Sequence, residues 1–352
     1  MSSTSAAERW SSPVLIRFAH RHLWSAPRRT PGEHVVHQRR AFERAGYLVR
    51  LFYAFSFLWV IEQMYMWRTL LDVREMNPLW PARWLHHVDL HTGVKVALVF
   101  YLLAALAVLA FPELRIFRFL YAVGLLEFMA MVNSPTKINH NLHAWLYCAF
   151  IFVLLPNGPW RRRRGIMERY RFLSVVWTAQ LAVLFAYTLT GVWKVVEALF
   201  AVRDGRVGGF HPSGFSYTVA DRLLRTDAQT LIGPFFATHE LPGWALFVGT
   251  MYLETCSIVV AFRPRLHKVW GLGLIAFHLG TQVVMGFTFN QNVALLALLF
   301  VFSPFSPEEF VVKDVLLDLP GVHIVAKRWA RRGRGSPPEA IVAHEEPVEA
   351  PT

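Results

Sequence analysis

Cysteine is nearly missing from this chain, with only Cys148 and Cys256 among 352 residues. Each stands alone inside its own apolar run, with no Cys-x-x-Cys, which argues against a disulfide-exchanging membrane protein. Charge is sparse too: charged residues make up 17%, and 24 Asp and Glu face 36 Lys and Arg. The first 45 residues are rich in Arg and Pro but hold no apolar h-region and no small-residue cleavage site. No cleaved signal peptide is therefore expected, and insertion should begin at the first span. No internal repeat is visible.

What is present is apolar. Hydrophobic residues make up 54% of the chain, with 28 Phe and 13 Trp, and the mean hydropathy is +0.34. That is too much apolar surface for an ordinary soluble domain, and it predicts an all-α, polytopic transmembrane helix bundle. Eight apolar runs are candidate spans, near 48–66, 94–111, 117–132, 142–156, 172–196, 243–262, 266–287 and 291–305. The third, fourth and eighth are short, so the count lies between seven and nine. With the N-terminus inside, 25 of the 36 Lys and Arg fall on one side and 8 on the other, led by the run Arg161 to Arg164. By the positive-inside rule both termini are cytoplasmic, as expected of a plasma or inner membrane protein. Sidedness thus accounts for the net charge of +12 better than nucleic acid does, and no nucleic-acid partner is expected.

Three regions follow: a basic arm over 1–47, a transmembrane domain over 48–306 and a cytoplasmic tail over 307–352. Residues 8–25 and 313–331 mix Arg and Lys with apolar side chains, as interfacial helices do and as solvated arms also do. Residues 333–352, rich in Gly, Pro and Glu, are expected to be disordered. Two outer loops, 67–93 and 197–242, carry Trp80, Trp84, Phe210, Phe215 and Tyr217, which suit a cap over the bundle mouth.

The topology assigns a depth to each polar side chain. Lys194 stands near the end of the fifth run, and an ammonium at membrane depth costs several kcal/mol unless it pairs, snorkels or loses its proton. It is either functional, or a snorkelling residue paired with Glu197 three positions on. His143, Lys194 and His278 fall in the outer leaflet, as do Glu62 and Glu127, with Glu254 near the middle of the sixth span. Such groups normally face the bundle interior, so a shared cavity opening to the extracytoplasmic side is the economical expectation. For any single glutamate, a helix-to-helix hydrogen bond from a protonated carboxyl is the alternative.

Helical spacing sharpens two faces. Tyr187, Gly191 and Lys194 lie at i, i+4 and i+7, and Gly191 admits another backbone or a flat ligand. His278, Thr281 and Gln282 share a face of the seventh span. A dry stripe would make Lys194 a base near neutral pH, whereas a Glu197 partner would keep it charged and structural. The pairs and triplets His20/His22, His86/His87/His91 and His140/His143 look like di-iron histidine boxes, but they fall on opposite sides of the membrane. His86, His87, Asp89 and His91 remain open as a single metal site on a wet outer loop, although no metal is expected. His211 either lines the cavity mouth or is a loop histidine.

Three segments resemble one family in order and spacing. YTLTGVWK, ending at Lys194, is similar to the segment around the catalytic lysine of vitamin K-dependent gamma-glutamyl carboxylase. NLHAWLYCAFIF resembles that family's Asn-x-His and aromatic helix, with Asn141 and His143 on those positions. FHLGTQVVMGFTFNQNVALLALLFVFSPF, from His278 through Gln282, is similar to its His-containing helix and a span ending in Ser-Pro. Together they resemble the HTTM domain over roughly residues 45 to 306. Trp193 departs from the family, in which a second lysine stands there. The large lumenal portion that binds the protein substrate has no counterpart in these residues.

The resemblance implies a mechanism. Lys194, as free amine, would deprotonate reduced vitamin K or another isoprenoid quinol, oxygen would add, and the quinone would leave as its epoxide. His143 would orient or stabilise the oxygenated intermediate or the carboxylation step. Tyr187, Gly191, His278, Gln282 and Asn141 would line the quinol site. A water-excluded pocket would protect the strongly basic alkoxide that oxygen addition forms, which in that family takes a proton from the γ-carbon of a glutamate. Oxygenation is expected, with carboxylation of a peptide or small-molecule substrate left open. The competing expectation is a non-catalytic protein of the lipid bilayer that binds or moves a lipid or quinone.

Overall fold

The computed structural model describes residues 31–66, 76–135, 138, 140–160 and 165–322. The possible interfacial helix at 8–25, the Arg161 to Arg164 run, Arg68 and Arg74 of the first outer loop, and the tail at 333–352 lie outside the described residues. So does the part of 313–331 beyond 322.

Among the described residues every regular element is helical. Those up to Glu308 form one compact unit. They are α1 (Pro31–Met66), a 3-10 turn (Ala82–His87), α2 (Leu90–Ala110), α3 (Arg115–Asn133), α4 (His143–Phe152), α5 (Ile166–Arg203), α6 (Gly214–Thr226), α7 (Gly233–Thr238), α8 (Glu240–Thr255), α9 (Ser257–Val260), α10 (His267–Met285), α11 (Asn290–Leu296) and a π-helical turn (Ala297–Val301). A second unit runs from Glu309 and holds α12 (Val312–Asp318).

Five helices are long and apolar enough to cross a bilayer: His37–Tyr65, Leu90–Ala110, Arg115–Asn133, Ile166–Arg203 and Pro264–Met285. Such helices make a membrane protein. The eight expected spans all fall on helical segments, but three do not reach full length. His143–Phe152 has 10 residues, about 15 Å of rise against a hydrocarbon core of about 30 Å. Asn290–Val301 is an apolar helix of similarly short reach. The sixth segment breaks at Cys256, between α8 and the single turn of α9. Apolarity marked these segments in the sequence, while the helix breaks depend on contacts from other parts of the fold.

Aromatic packing joins α1 to α3 and α4. Phe52 stacks on Trp145 with ring centroids 4.6 Å apart, and the Trp145 indole donates to Ser56 Oγ at 2.9 Å. Tyr53 meets Tyr121 edge-on, and Tyr101 of α2 stacks on Tyr121 and Phe128. At one end of this group the fully buried Arg118 donates to the carbonyls of Pro112 (2.7 Å) and Leu155 (2.5 Å). Those carbonyls belong to the α2–α3 turn and the end of α4, where no helical donor reaches them. Arg50 pairs with Glu113 beside it, and Arg50 and Arg118 both lie close to the Trp160 ring.

A second polar knot holds α5 to α10 and the π turn. Gln180 donates to the Leu299 carbonyl (2.5 Å) and to Ser303 Oγ (3.0 Å). Taking the Leu299 carbonyl out of the helical ladder accounts for a π turn at that place, since an inserted side chain is one of the ordinary causes of a ladder fault. His267 bridges Ser303 Oγ at 2.7 Å and the Val260 carbonyl at 3.1 Å. The segment 197–242 is folded rather than extended: α6 and α7 pack over the end of α10 through Val219, Phe236 and Val284. Beyond α5, Arg203 first and then Arg206 hold the Asp204 carboxyl below the usual carboxylate range.

Candidate functional site

Lys194 is paired, but not with the residue nearest in sequence. Its Nζ donates to both carboxylate oxygens of Glu254, at 2.8 and 2.7 Å. Glu254 is 2% exposed and Lys194 26%, so the carboxylate is buried and the ammonium looks out past it. Glu197 is exposed and has no ion pair with Lys194. Glu254 faces Lys194 from α8 across the α5–α8 crossing.

Gly191 explains why the crossing is close enough. A Cβ there would meet Thr255 Oγ1 at 2.7 Å and the Glu254 carbonyl carbon at 2.8 Å. Of the two occupants the sequence admits at Gly191, a backbone or a flat ligand, it is a backbone that fills the space. One turn later on the same face, that approach places Lys194 against Glu254.

The other side of the stripe contacts α10. Tyr187 Oη and His278 Nε2 are 2.5 Å apart, and His278 Nδ1 is buried with no hydrogen-bond partner among the described residues. Lys194 Nζ lies 5.3 Å from the Phe277 ring centroid, a cation–π contact. Tyr187, Gly191, Lys194, Glu254 and His278 thus form one cluster on three helices. Thr281 bonds back to the His278 carbonyl at 2.7 Å. The Gln282 side chain is exposed and does not join.

The ring contacts of His143 are His140, at 5.5 Å between centroids, and Tyr147, at 6.3 Å, and its Nδ1 is buried without a hydrogen-bond partner among the described residues. Asn141 donates weakly to the Thr288 carbonyl at 3.5 Å. Both Asn141 and Thr288 line a cavity of about 190 Å³, together with Glu62, Gln63, Phe128, Met129, Val132, Asn133, Leu142, Asn290 and Gln291. Neither Lys194, His143 nor His278 lines it. The expected single cavity therefore resolves into a packed ion-pair cluster and a separate amide-lined pocket. Phe289 lies between them in sequence, its ring 4.9 Å from His278, and its neighbours Thr288 and Asn290 line the pocket.

The remaining expected polar residues also find places. Glu127 accepts from the Trp84 indole at 3.1 Å, so it ties α3 to the 3-10 turn Ala82–His87. His211 Nδ1 accepts from the Ser213 amide at 3.2 Å, a local loop contact. Among the described residues, no three His, Cys, Asp or Glu side chains group as a metal site. His86, His87, Asp89 and His91 thus do not converge. Asp89 instead caps α2, and the hydrogen bond from the Thr92 amide holds its carboxyl below the usual range.

Two functional features escaped the sequence reading. One was Glu254 as the partner of Lys194. The signal for it was present, because a cation and an anion at membrane depth rarely stay apart. The other was the pocket, whose amides come from four separate segments and carry no common motif. No family model, no curated protein and no solved structure matches this chain.

Proposed function

We propose that this protein is a membrane enzyme of the HTTM type, with eight membrane-embedded segments and both termini cytoplasmic, acting on an isoprenoid quinol. The observation that carries the reading is the Lys194–Glu254 pair beside Tyr187 and His278. A lysine serves as base only as free amine, and the pair gives it a route to that form. Proton transfer from Nζ to the Glu254 carboxylate leaves an amine and a neutral acid, and a low-dielectric setting narrows the gap between the ionic and neutral forms. The amine then takes a quinol proton, and the quinolate is the species that reacts with oxygen. In this reading Tyr187 and His278 orient the ring. His143 serves a later step, and a peptide or small molecule is the acceptor of any carboxylation.

One observation favours a second reading, in which the same cluster belongs to a protein that binds or moves a lipid or quinone without chemistry. Lys194 is held by two short bonds, and the space at Gly191 is filled by backbone. A packed, paired lysine is what a structural role requires. Quinol-dependent oxygen uptake by the purified protein in its native lipids separates the two. The enzyme reading expects uptake that disappears in the paired variant Lys194→Met with Glu254→Leu, which removes both charges together and keeps the fold. A bound isoprenoid quinone identified by mass spectrometry, with no oxygen consumed, establishes the second reading instead.

A further inference from the structure

Tyr217 and Leu224 of α6 are 60% and 85% exposed, and Leu231, in the turn before α7, is 85% exposed, yet none of them belongs to a helix long and apolar enough to cross a bilayer. Their height is set by α10. The span Pro264–Met285 has 22 residues, about 33 Å of rise against a hydrocarbon core of about 30 Å, so its last turn stands at the edge of that core. There Val219 and Phe236 pack on Val284, and Gly233 comes so close that a Cβ on it would meet the Val284 carbonyl oxygen at 2.6 Å. Arg222 lies over the Phe287 ring just past α10, 4.0 Å from its centroid, while Phe215, at the other end of α6, packs on Gly243 at the start of α8. α6 thus bridges the ends of two membrane segments and lies across them.

We propose that α6 and the turn before α7 dock on the bilayer surface, with Tyr217, Leu224 and Leu231 among the acyl chains just below the headgroups. The helix has three sides. Ser216 and Val219 are buried, and Leu223 packs beside them. Tyr217 and Leu224 stand about two turns apart and so share one outward edge, while Thr218 and Arg225 share another, about 100° round the helix. The first edge is apolar, with the amphipathic ring that suits a membrane boundary. The second is polar, and Arg225 pairs there with Asp221 at 2.8 Å. A second protein is the competing occupant of such a patch, but position favours lipid. α10 already presents Leu272 and Leu279 outward along its length, and the patch lies at the end of that same helix. Because Arg225 is neutralised within α6, phosphatidylcholine is sufficient and no anionic lipid is needed. The proposal does not depend on the chemistry at Lys194.

The test is bimane fluorescence from Leu224→Cys, Leu231→Cys or Thr218→Cys, each in the full chain carrying Cys148→Ala and Cys256→Ala, in phosphatidylcholine nanodiscs. Lipids with a doxyl group near the headgroup should quench the label at Leu224 and Leu231 about threefold or more strongly than the label at Thr218, and aqueous iodide should give the reverse order. The melting temperature of each labelled protein, read alongside, checks the fold. A second measurement keeps both native cysteines: p-benzoylphenylalanine in place of Leu224 should photocross-link to phosphatidylcholine, and in place of Thr218 it should not. Equal doxyl quenching at all three positions, iodide reaching Leu224→Cys as readily as Thr218→Cys, or a cross-link from position 224 to a second copy of the chain instead of lipid overturns the proposal.

Discussion

At the scale of single residues, Lys194 and Glu254 each make the other tolerable. Lys194→Ala should destabilise the protein by about 3 kcal/mol, because it strands a buried carboxylate. Lys194→Met with Glu254→Leu should recover most of that loss, so a double-mutant cycle of thermal stability in detergent reads the coupling directly. Glu197→Gln should stay within about 0.5 kcal/mol of the parent, as exposed substitutions do. Equal damage from Glu197→Gln would reassign the partner. The sequence made the need for an anion legible, and it offered Glu197 because that residue is near in the chain. It could not show that Glu254 wins, because that choice is made by a crossing of two helices sixty residues apart in sequence.

At the scale of elements, the α5 stripe was legible in detail. Tyr187, Gly191 and Lys194 do share one face, since a 3.6-residue period is a local property and needs no partner to be read. Gly191→Ala should force α5 and α8 apart and cost about 1–3 kcal/mol by overpacking. It should also loosen the Lys194–Glu254 pair, so that adding Glu254→Gln costs less in the Gly191→Ala background than in the parent. Additive costs would show that the pair does not depend on the close approach. Gln180→Leu should cost about 1–3 kcal/mol by leaving the Leu299 carbonyl short of a donor. The π turn itself was not legible, because the cause lies on another helix.

At the scale of the whole molecule, the charge pattern predicts that reporter fusions after Arg164 and Arg332 read cytoplasmic and fusions near Pro212 read external. An external reading after Arg164 would invert the proposed orientation. The all-helical class was open to reading from composition alone, since hydropathy is a sum over residues. The difference between eight apolar runs and five full crossings was not, because a helix end is set where neighbours take its hydrogen bonds. The described structure shows that for the sixth segment. Carbonyls near its break at Cys256 accept from side chains of other helices, Ala261 from Trp177, Leu253 from Trp270 and Val260 from His267, while Leu253 also accepts from Ser257 within the segment.

That break carries a consequence for biosynthesis. A backbone with freed carbonyls has no stable resting place among acyl chains, and the residues that quiet these carbonyls come partly from α10, which the ribosome makes afterwards. The segment around Cys256 therefore lacks the donors from His267 and Trp270 when it first leaves the translocon. It must wait at the interface or in the insertase until the seventh segment arrives, and the two must enter together as a hairpin. A nascent chain arrested just after Arg263 should accordingly be extractable at that segment, and one arrested after Met285 should not.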